Sequence, residues 1–174
     1  SPVSIEEELR RVEEVVRRLA AEGVCVSVDT RHAEVAQACI EAGASIINDV
    51  TGFRDPEMVK VATSCDAGLV VMHMKGDDPR TMQDEPRYDD VVDEVATYLK
   101  NRAEMLEDAG IERERICLDP GPGFGKTAKQ TIQLMRNFQE FARLGYPLMV
   151  AVSRKSYIGY AYHIDDPKQR DDAS

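Results

Sequence analysis

Apolar positions along the chain follow two alternating periods. In residues 4–21, Ile5, Leu9, Val12, Val15, Val16 and Leu19 recur at helical spacing behind Ser4, with Glu7 three positions on. That is the pattern of a capped amphipathic helix. VCVSVD (24–29) is apolar at nearly every position and predicts a short strand buried on both faces. The alternation continues as helix 31–42, strand 44–49, helix near 56–64, strand 68–74, long helix about 88–109 and strand 115–119. A helix about 128–143, a strand 147–153 and a further helix opening at Ser156 follow. Five strands alternating with helices, with no hairpin signal, predict a parallel sheet.

The chemically interesting residues fall at the C-terminal ends of these strands. Asp29 closes the first, Asn48 the second, Met72 with His73 the third, Asp119 the fourth, and Ser153-Arg154-Lys155 the fifth. In a parallel α/β barrel this is the rim where βα loops and helix N-termini converge. The pattern favours an α/β fold of the TIM type, a (β/α)8 barrel of which about five β/α units are present. An open doubly wound sheet also binds ligands at strand C-termini and stands as the alternative. Since five strands cannot close an eight-stranded barrel, the barrel reading expects one domain over 1–174 that is incomplete at both ends.

Charge narrows the possible partners. The 174 residues carry 22 basic and 32 acidic side chains, a net charge of −10, and 43% of them are hydrophobic, enough for one core. Such a field repels nucleic acid and acidic membranes, so an anionic substrate needs a local site. No apolar run is long enough to span a bilayer and no signal peptide is legible, which predicts a cytoplasmic protein. Cys25, Cys39, Cys65 and Cys117 lack C-x-x-C spacing and are expected as buried thiols.

The loop LDPGPGFGKT (118–127) looks like a phosphate-binding loop but is not one. Pro120 stands where a P-loop needs its first glycine, and Gly121, Gly123 and Gly125 miss the dinucleotide spacing. Asp29 alone reads either as the N-cap of the next helix or as a site residue. Asn48 and Asp119 in equivalent places favour the site, because together the three offer in-plane donors and acceptors for a flat heterocycle with an amidine edge and a lactam edge. Asp49 points to the opposite face and is expected to be structural. Lys155 is the candidate cation, against the alternative of a solvated Ser-Arg-Lys turn. The helix opening at Ser156 offers N–H groups and a hydroxyl to an anion. His73 has no Ser or Cys nucleophile beside it in sequence and is left out of the catalytic set. The polar stretch 75–88 is expected to be a rim loop with solvated charges.

VDTRHAEVA, IINDVTG, VMHMKGDDPRTMQ, LDPGPGFGKT and VSRKSYIG, in this order and spacing, closely resemble the dihydropteroate synthase family, the sulfonamide target of the folate pathway. The resemblance runs from about residue 4 to about residue 160. It implies a (β/α)8 barrel that joins 6-hydroxymethyl-7,8-dihydropterin diphosphate to p-aminobenzoate, giving 7,8-dihydropteroate and pyrophosphate. By matching position, Asp29, Asn48 and Asp119 look like the pterin-recognition residues and Lys155 like the lysine against the pterin ring. Val50 and Met72 look like the lining of the pterin slot, and Phe124 and Ser156 like part of the p-aminobenzoate site. Asp119 and Lys155 are the catalytic candidates. The implied chemistry is SN1-like, with Mg2+ holding the leaving group. The implied partners are the two small-molecule substrates and a second subunit in a homodimer, with neither nucleic acid nor membrane.

Some family features do not appear in these residues. The Asn-Val-Thr-Pro-Asp-Ser-Phe motif that supplies the magnesium ligand, the Ser-Thr-Arg-Pro loop and the closing Arg-x-His are absent, and Ala151 stands where many members have glycine. The resemblance therefore predicts no metal ligand and no turnover by these residues alone. A methyltetrahydrofolate:corrinoid methyltransferase shares the barrel and similar pterin contacts, but GFGKT and SRKS favour the synthase. A non-catalytic pterin-binding domain is the remaining alternative.

Overall fold

The computed structural model describes residues 3–76 and 86–174. Strands β1 (Ser27–Asp29), β2 (Ile46–Asp49), β3 (Gly68–Met72) and β4 (Ile116–Asp119) form one sheet in the order β1-β2-β3-β4. Both β1–β2 and β2–β3 are parallel, as the lack of hairpin signals predicted. Helices α1 (Ile5–Ala21), α2 (Ala33–Glu41), α3 (Pro56–Thr63) and α4 (Val91–Asp108) alternate with the strands. After β4 come α5 (Ala128–Arg136), α6 (Phe138–Ala142) and α7 (Ser156–Tyr162). Of the stretch expected as a rim loop, residues 77–85 lie outside the described residues. Among the described residues, no helix is long and apolar enough to cross a membrane.

The chain divides into two compact units, Ser1–Val71 with Arg102–Cys117 and Met72–Asn101 with Leu118–Ser174. In the first, α1 opens on Ser4, whose hydroxyl accepts from the Glu7 N–H. Only Val16 of the six periodic residues is fully buried, while Val15 and Leu19 are exposed. The buried centre of this unit is built by Val28, Val35, Cys39, Ile47, Met58 and Leu69. The Arg115 guanidinium donates to the carbonyls of Ala62 and Ala67 and so fastens the end of α3 to the start of β3. Cys39 is buried as expected, but Cys25 is exposed, because β1 begins only at Ser27.

In the second unit the fully buried residues include Met74, Val95, Leu99, Leu134, Phe141 and Ile158. Two sequence expectations fail here. The helix expected over 128–143 breaks at Asn137, whose side-chain amide donates to the Gln133 carbonyl and competes with helix continuation. The fifth strand, expected over 147–153, is reduced to a single parallel bridge between Leu118 and Leu148. The Leu118 N–H donates to Pro147 O and the Met149 N–H to Leu118 O, each at 2.9 Å. Extending that ladder needs an N–H from residue 120 on one side and from residue 147 on the other. Both are prolines, so the pairing stops after one residue.

Candidate functional site

In the first unit, two candidate residues are held side by side. Asp29 is the last residue of β1, and its register partner on β2 is Asn48. Partnered residues of parallel strands project from the same face, so the carboxylate and the amide stand together. Asn48 Oδ1 is buried and has no hydrogen-bond partner among the described residues. Partial desolvation, and then the nearby Asp49 and Glu8 carboxylates, push the Asp29 pKa upward.

The alternative role for Asp29 falls away. His32, not Asp29, is the N-cap of α2, and it caps without its side chain. The turn is closed instead by Thr30. Its hydroxyl accepts from the His32 N–H at 3.2 Å and donates to Glu8 Oε1 at 2.6 Å, while Glu8 Oε2 lies 2.7 Å from His32 Nδ1. This cluster ties α1 to the turn after β1 and leaves Asp29 outside the capping network.

Asp49 is fully buried and structural, as strand alternation predicted. Its Oδ1 accepts from the Thr51 N–H and hydroxyl at 2.8 and 2.7 Å, and its Oδ2 accepts from the Phe53 N–H at 2.8 Å. The Arg102 guanidinium donates to the carbonyls of Gly52 and Phe53 from the other side. The turn that follows β2, and with it half-buried Val50, is thereby fixed.

In the second unit, Met72 ends β3 and is 2% exposed, and Asp119 ends β4 with the same exposure. The His73 N–H donates to the Asp119 carbonyl at 2.9 Å. Asp119 Oδ1 accepts from the Gly121 N–H at 2.8 Å, which begins the glycine loop. Gly121 and Gly125 have φ of 63° and 60°, and they also lack room for a side chain. A Cβ on Gly121 would lie 2.1 Å from His73 O, and one on Gly125 would lie 2.7 Å from Lys75 Cβ. Phe124 is half-buried at the loop's far side.

Lys155 is half-buried and is not part of a solvated turn. Its Nζ donates to Pro122 O at 2.6 Å and lies 4.8 Å from the centroid of the Phe124 ring. Desolvation lowers its pKa, and the Asp119 charge opposes that shift. Arg154 does behave as a solvated residue, paired with Asp171 at 2.5 Å. Ser156 is the exposed first residue of α7, next to Lys155.

The sequence did not single out Lys126 as a site residue. Thr127, which follows it, is the N-cap of α5 in a reciprocal capping box with Gln130. Lys126 instead turns inward and is 3% exposed. Its Nζ lies 2.9 Å from His73 Nδ1 and 3.0 Å from the carbonyl oxygens of Gly121 and of Phe124. Burial pulls its pKa down to about 7, against the attraction of Asp119 and with help from the charges of Lys155 and Lys75. The only hint in the sequence was a lysine among glycines, a pattern that suggests phosphate binding rather than a buried amine.

Among the described residues, no group of three or more His, Cys, Asp or Glu side chains is placed to hold a metal ion.

Comparison with known proteins agrees along the whole chain. The family model of pterin binding enzymes matches residues 1–174. The chain is similar to the dihydropteroate synthase of Synechocystis sp., at 41% identity over 97% of this chain and 58% of that protein. Its fold is similar to the Xanthomonas albilineans dihydropteroate synthase solved with 4-aminobenzoic acid. There the TM-score is 0.92 at 40% identity, over 100% of this chain and 62% of that one. It is also similar to the Thermus thermophilus dihydropteroate synthase solved in complex with 6HMPPP, with a TM-score of 0.91 at 44% identity over 95% of this chain and 65% of that one. The chain thus spans a little under three fifths of the length of the curated relatives it matches, 58% and 56% for the first two. The likeness decides between the two α/β folds considered, and the chain supplies successive β/α units of the TIM-barrel type. With its sequence matched from end to end and its fold shared with solved members, the chain belongs to the pterin binding enzyme family.

Proposed function

We propose that this chain carries the pterin-recognition residues of a dihydropteroate synthase. That enzyme condenses 6-hydroxymethyl-7,8-dihydropterin diphosphate with p-aminobenzoate to give 7,8-dihydropteroate and pyrophosphate. The observation that carries the reading is the strand-end pair Asp29 and Asn48, a carboxylate beside an amide whose buried oxygen has no donor among the described residues. A flat heterocycle with N–H groups along one edge supplies what that pair lacks. Relatives named dihydropteroate synthase support the synthase over the corrinoid methyltransferase and over a non-catalytic domain.

In this reading Asp29, Asn48 and Asp119 accept from and donate to the pterin edge, and Val50 and Met72 pack against its faces. Lys155, with its lowered pKa and its place over Phe124, lies against the pterin ring, while Phe124 and Ser156 receive p-aminobenzoate. The C–O bond to diphosphate breaks first, and its electron pair leaves with the diphosphate. The methylene cation that remains is delocalised into the pterin and stabilised by the carboxylates of Asp29 and Asp119. The p-aminobenzoate nitrogen then forms the C–N bond and gives up a proton. Mg2+, when bound, would neutralise charge on the leaving diphosphate, and none of the residue roles given above depends on it. A cytoplasmic location, a homodimeric state and sulfonamide inhibition belong to the same reading.

The test is calorimetric titration of the protein with 6-hydroxymethylpterin, followed by an assay of pyrophosphate release with both substrates. Saturable binding that is lost in Asp29→Ala and Asn48→Ala supports the reading. Binding that both variants leave unchanged removes it. Lys155→Ala is expected to lose turnover while keeping its fold, and unfolding of that variant would return Lys155 to a scaffold role.

A further inference from the structure

We propose that Lys126 is a positioning residue of this site: its side chain turns back beneath the loop after β4 and ties that loop to His73, so fixing where Asp119 and Phe124 stand. An ammonium has three donors and no acceptor. The close acceptors are three in number, namely His73 Nδ1 at 2.9 Å and the carbonyl oxygens of Gly121 and Phe124 at 3.0 Å each. The His73 carbonyl is more distant, at 3.4 Å. One side chain therefore holds both ends of the turn 121–124.

The two tied peptides are those that control the site. Gly121 is gripped three times, its N–H by the Asp119 carboxylate and its carbonyl by Lys126 and by the Phe124 N–H. The direction in which Asp119 presents its carboxylate therefore depends on a peptide that Lys126 holds. The Phe124 carbonyl is the second tie, and the Phe124 ring is the surface over which Lys155 lies. His73 is a firm anchor, because its backbone N–H is bonded to Asp119 O and its ring meets the Tyr98 ring edge-on at 4.9 Å between centroids. The next carbonyl, of Gly125, accepts from the Tyr88 hydroxyl at 2.8 Å, so the carbonyls of Gly121, Pro122, Phe124 and Gly125 are each held by a side chain.

With Lys126 charged, His73 Nδ1 must be the acceptor and its proton must sit on Nε2. With Lys126 neutral, the amine can accept from Nδ1–H while still donating to the two carbonyls. The tie thus survives either protonation state and depends on the nitrogen rather than on its charge. Nothing in the proposed chemistry uses this buried amine, and among the described residues its hydrogen-bond partners are groups of the loop and of the residue that anchors it.

The effect on ligand rests on the pterin reading, whereas the tie itself does not, and the experiment separates the two. In the full chain, Lys126→Met keeps the length of the side chain but cannot donate. Hydrogen exchange should show the Gly121 and Phe124 amides exchanging at least tenfold faster, with protection elsewhere as in the parent. Affinity for 6-hydroxymethylpterin should fall at least tenfold. Lys126→Arg, which still donates to the carbonyls, should recover part of both. Unchanged loop exchange or unchanged pterin affinity in folded Lys126→Met overturns the proposal. If that variant does not fold, His73→Phe removes the Nδ1 acceptor while keeping an aromatic ring beside Tyr98, and the same two readings decide. Loss of protection spread over the whole chain in both variants also overturns it, because positioning is confined to the loop. If the unaltered protein binds no pterin, the functional reading falls, and loop exchange alone decides whether Lys126 holds the loop.

Discussion

Asp29 and Asn48 face one another across the β1–β2 ladder as register partners, and the Asn48 amide oxygen is buried there without a donor among the described residues. A buried acceptor left unpaired costs about 1–3 kcal/mol. An arrangement that keeps such a cost is suited to a ligand that brings the missing N–H. Asn48→Ala is therefore expected to leave stability within about 1 kcal/mol of the parent, since lost packing is offset by removal of the orphaned oxygen. Its pterin affinity should fall at least tenfold. Thermal melting and calorimetry on the same sample check both parts, and a strongly destabilised variant with full affinity would make Asn48 scaffold.

Asp119→Asn addresses charge rather than shape. The asparagine oxygen can still accept from the Gly121 N–H, so the loop should survive. On the proposed reading the substitution removes a charge-assisted bond to the pterin, worth roughly 2–4 kcal/mol, so affinity should fall about thirtyfold or more. Titration calorimetry at neutral pH is the measurement, and an unchanged affinity would take Asp119 out of the site.

Lys126 predicts an unusual pH dependence of stability. Its folded pKa, near 7, lies below the ordinary lysine value of 10.5. Above pH 7 the unfolded chain binds the proton that the folded chain has released, so stability rises with pH from about 7 toward 10.5. The cost of burying the charge is fully present below pH 7. Denaturant unfolding between pH 7 and 9 should therefore show a rising contribution in the parent, at most about 1.4 kcal/mol per pH unit, that is missing in Lys126→Met. Lys155, whose pKa is also lowered, adds a slope of the same sign to both proteins. Parallel pH profiles in the two would contradict the shift.

Gly125→Ala should be among the most damaging single-methyl additions in the loop. At φ 60° a Cβ there would sit 2.7 Å from Lys75 Cβ and 2.9 Å from both the backbone N and O of Lys75. Backbone cannot move aside as a flexible side chain can. The expected loss is about 2 kcal/mol or more. A melting temperature equal to the parent's would mean that the loop is not held against Lys75.

The order and kind of the elements were legible in the sequence because burial imposes a period, and the polar residues that interrupt each apolar strand marked the strand ends. Asp29, Met72 and Asp119 do close β1, β3 and β4, and Asn48 lies one residue before the end of β2. Asp49 could be assigned to the opposite face by alternation alone. What only tertiary structure decided depends on partners far apart in the chain. Thr30 and Glu8, 22 positions apart, close the turn after β1 and take the capping role from Asp29. His73 and Lys126, 53 positions apart, turn an apparent phosphate lysine into a buried tie. The fifth strand failed for a reason written locally but readable only in register: Pro120 and Pro147 remove the two N–H groups that the ladder beside Leu118 would need. Periodicity records which face of an element is buried, whereas a hydrogen bond depends on the one atom that the fold brings opposite.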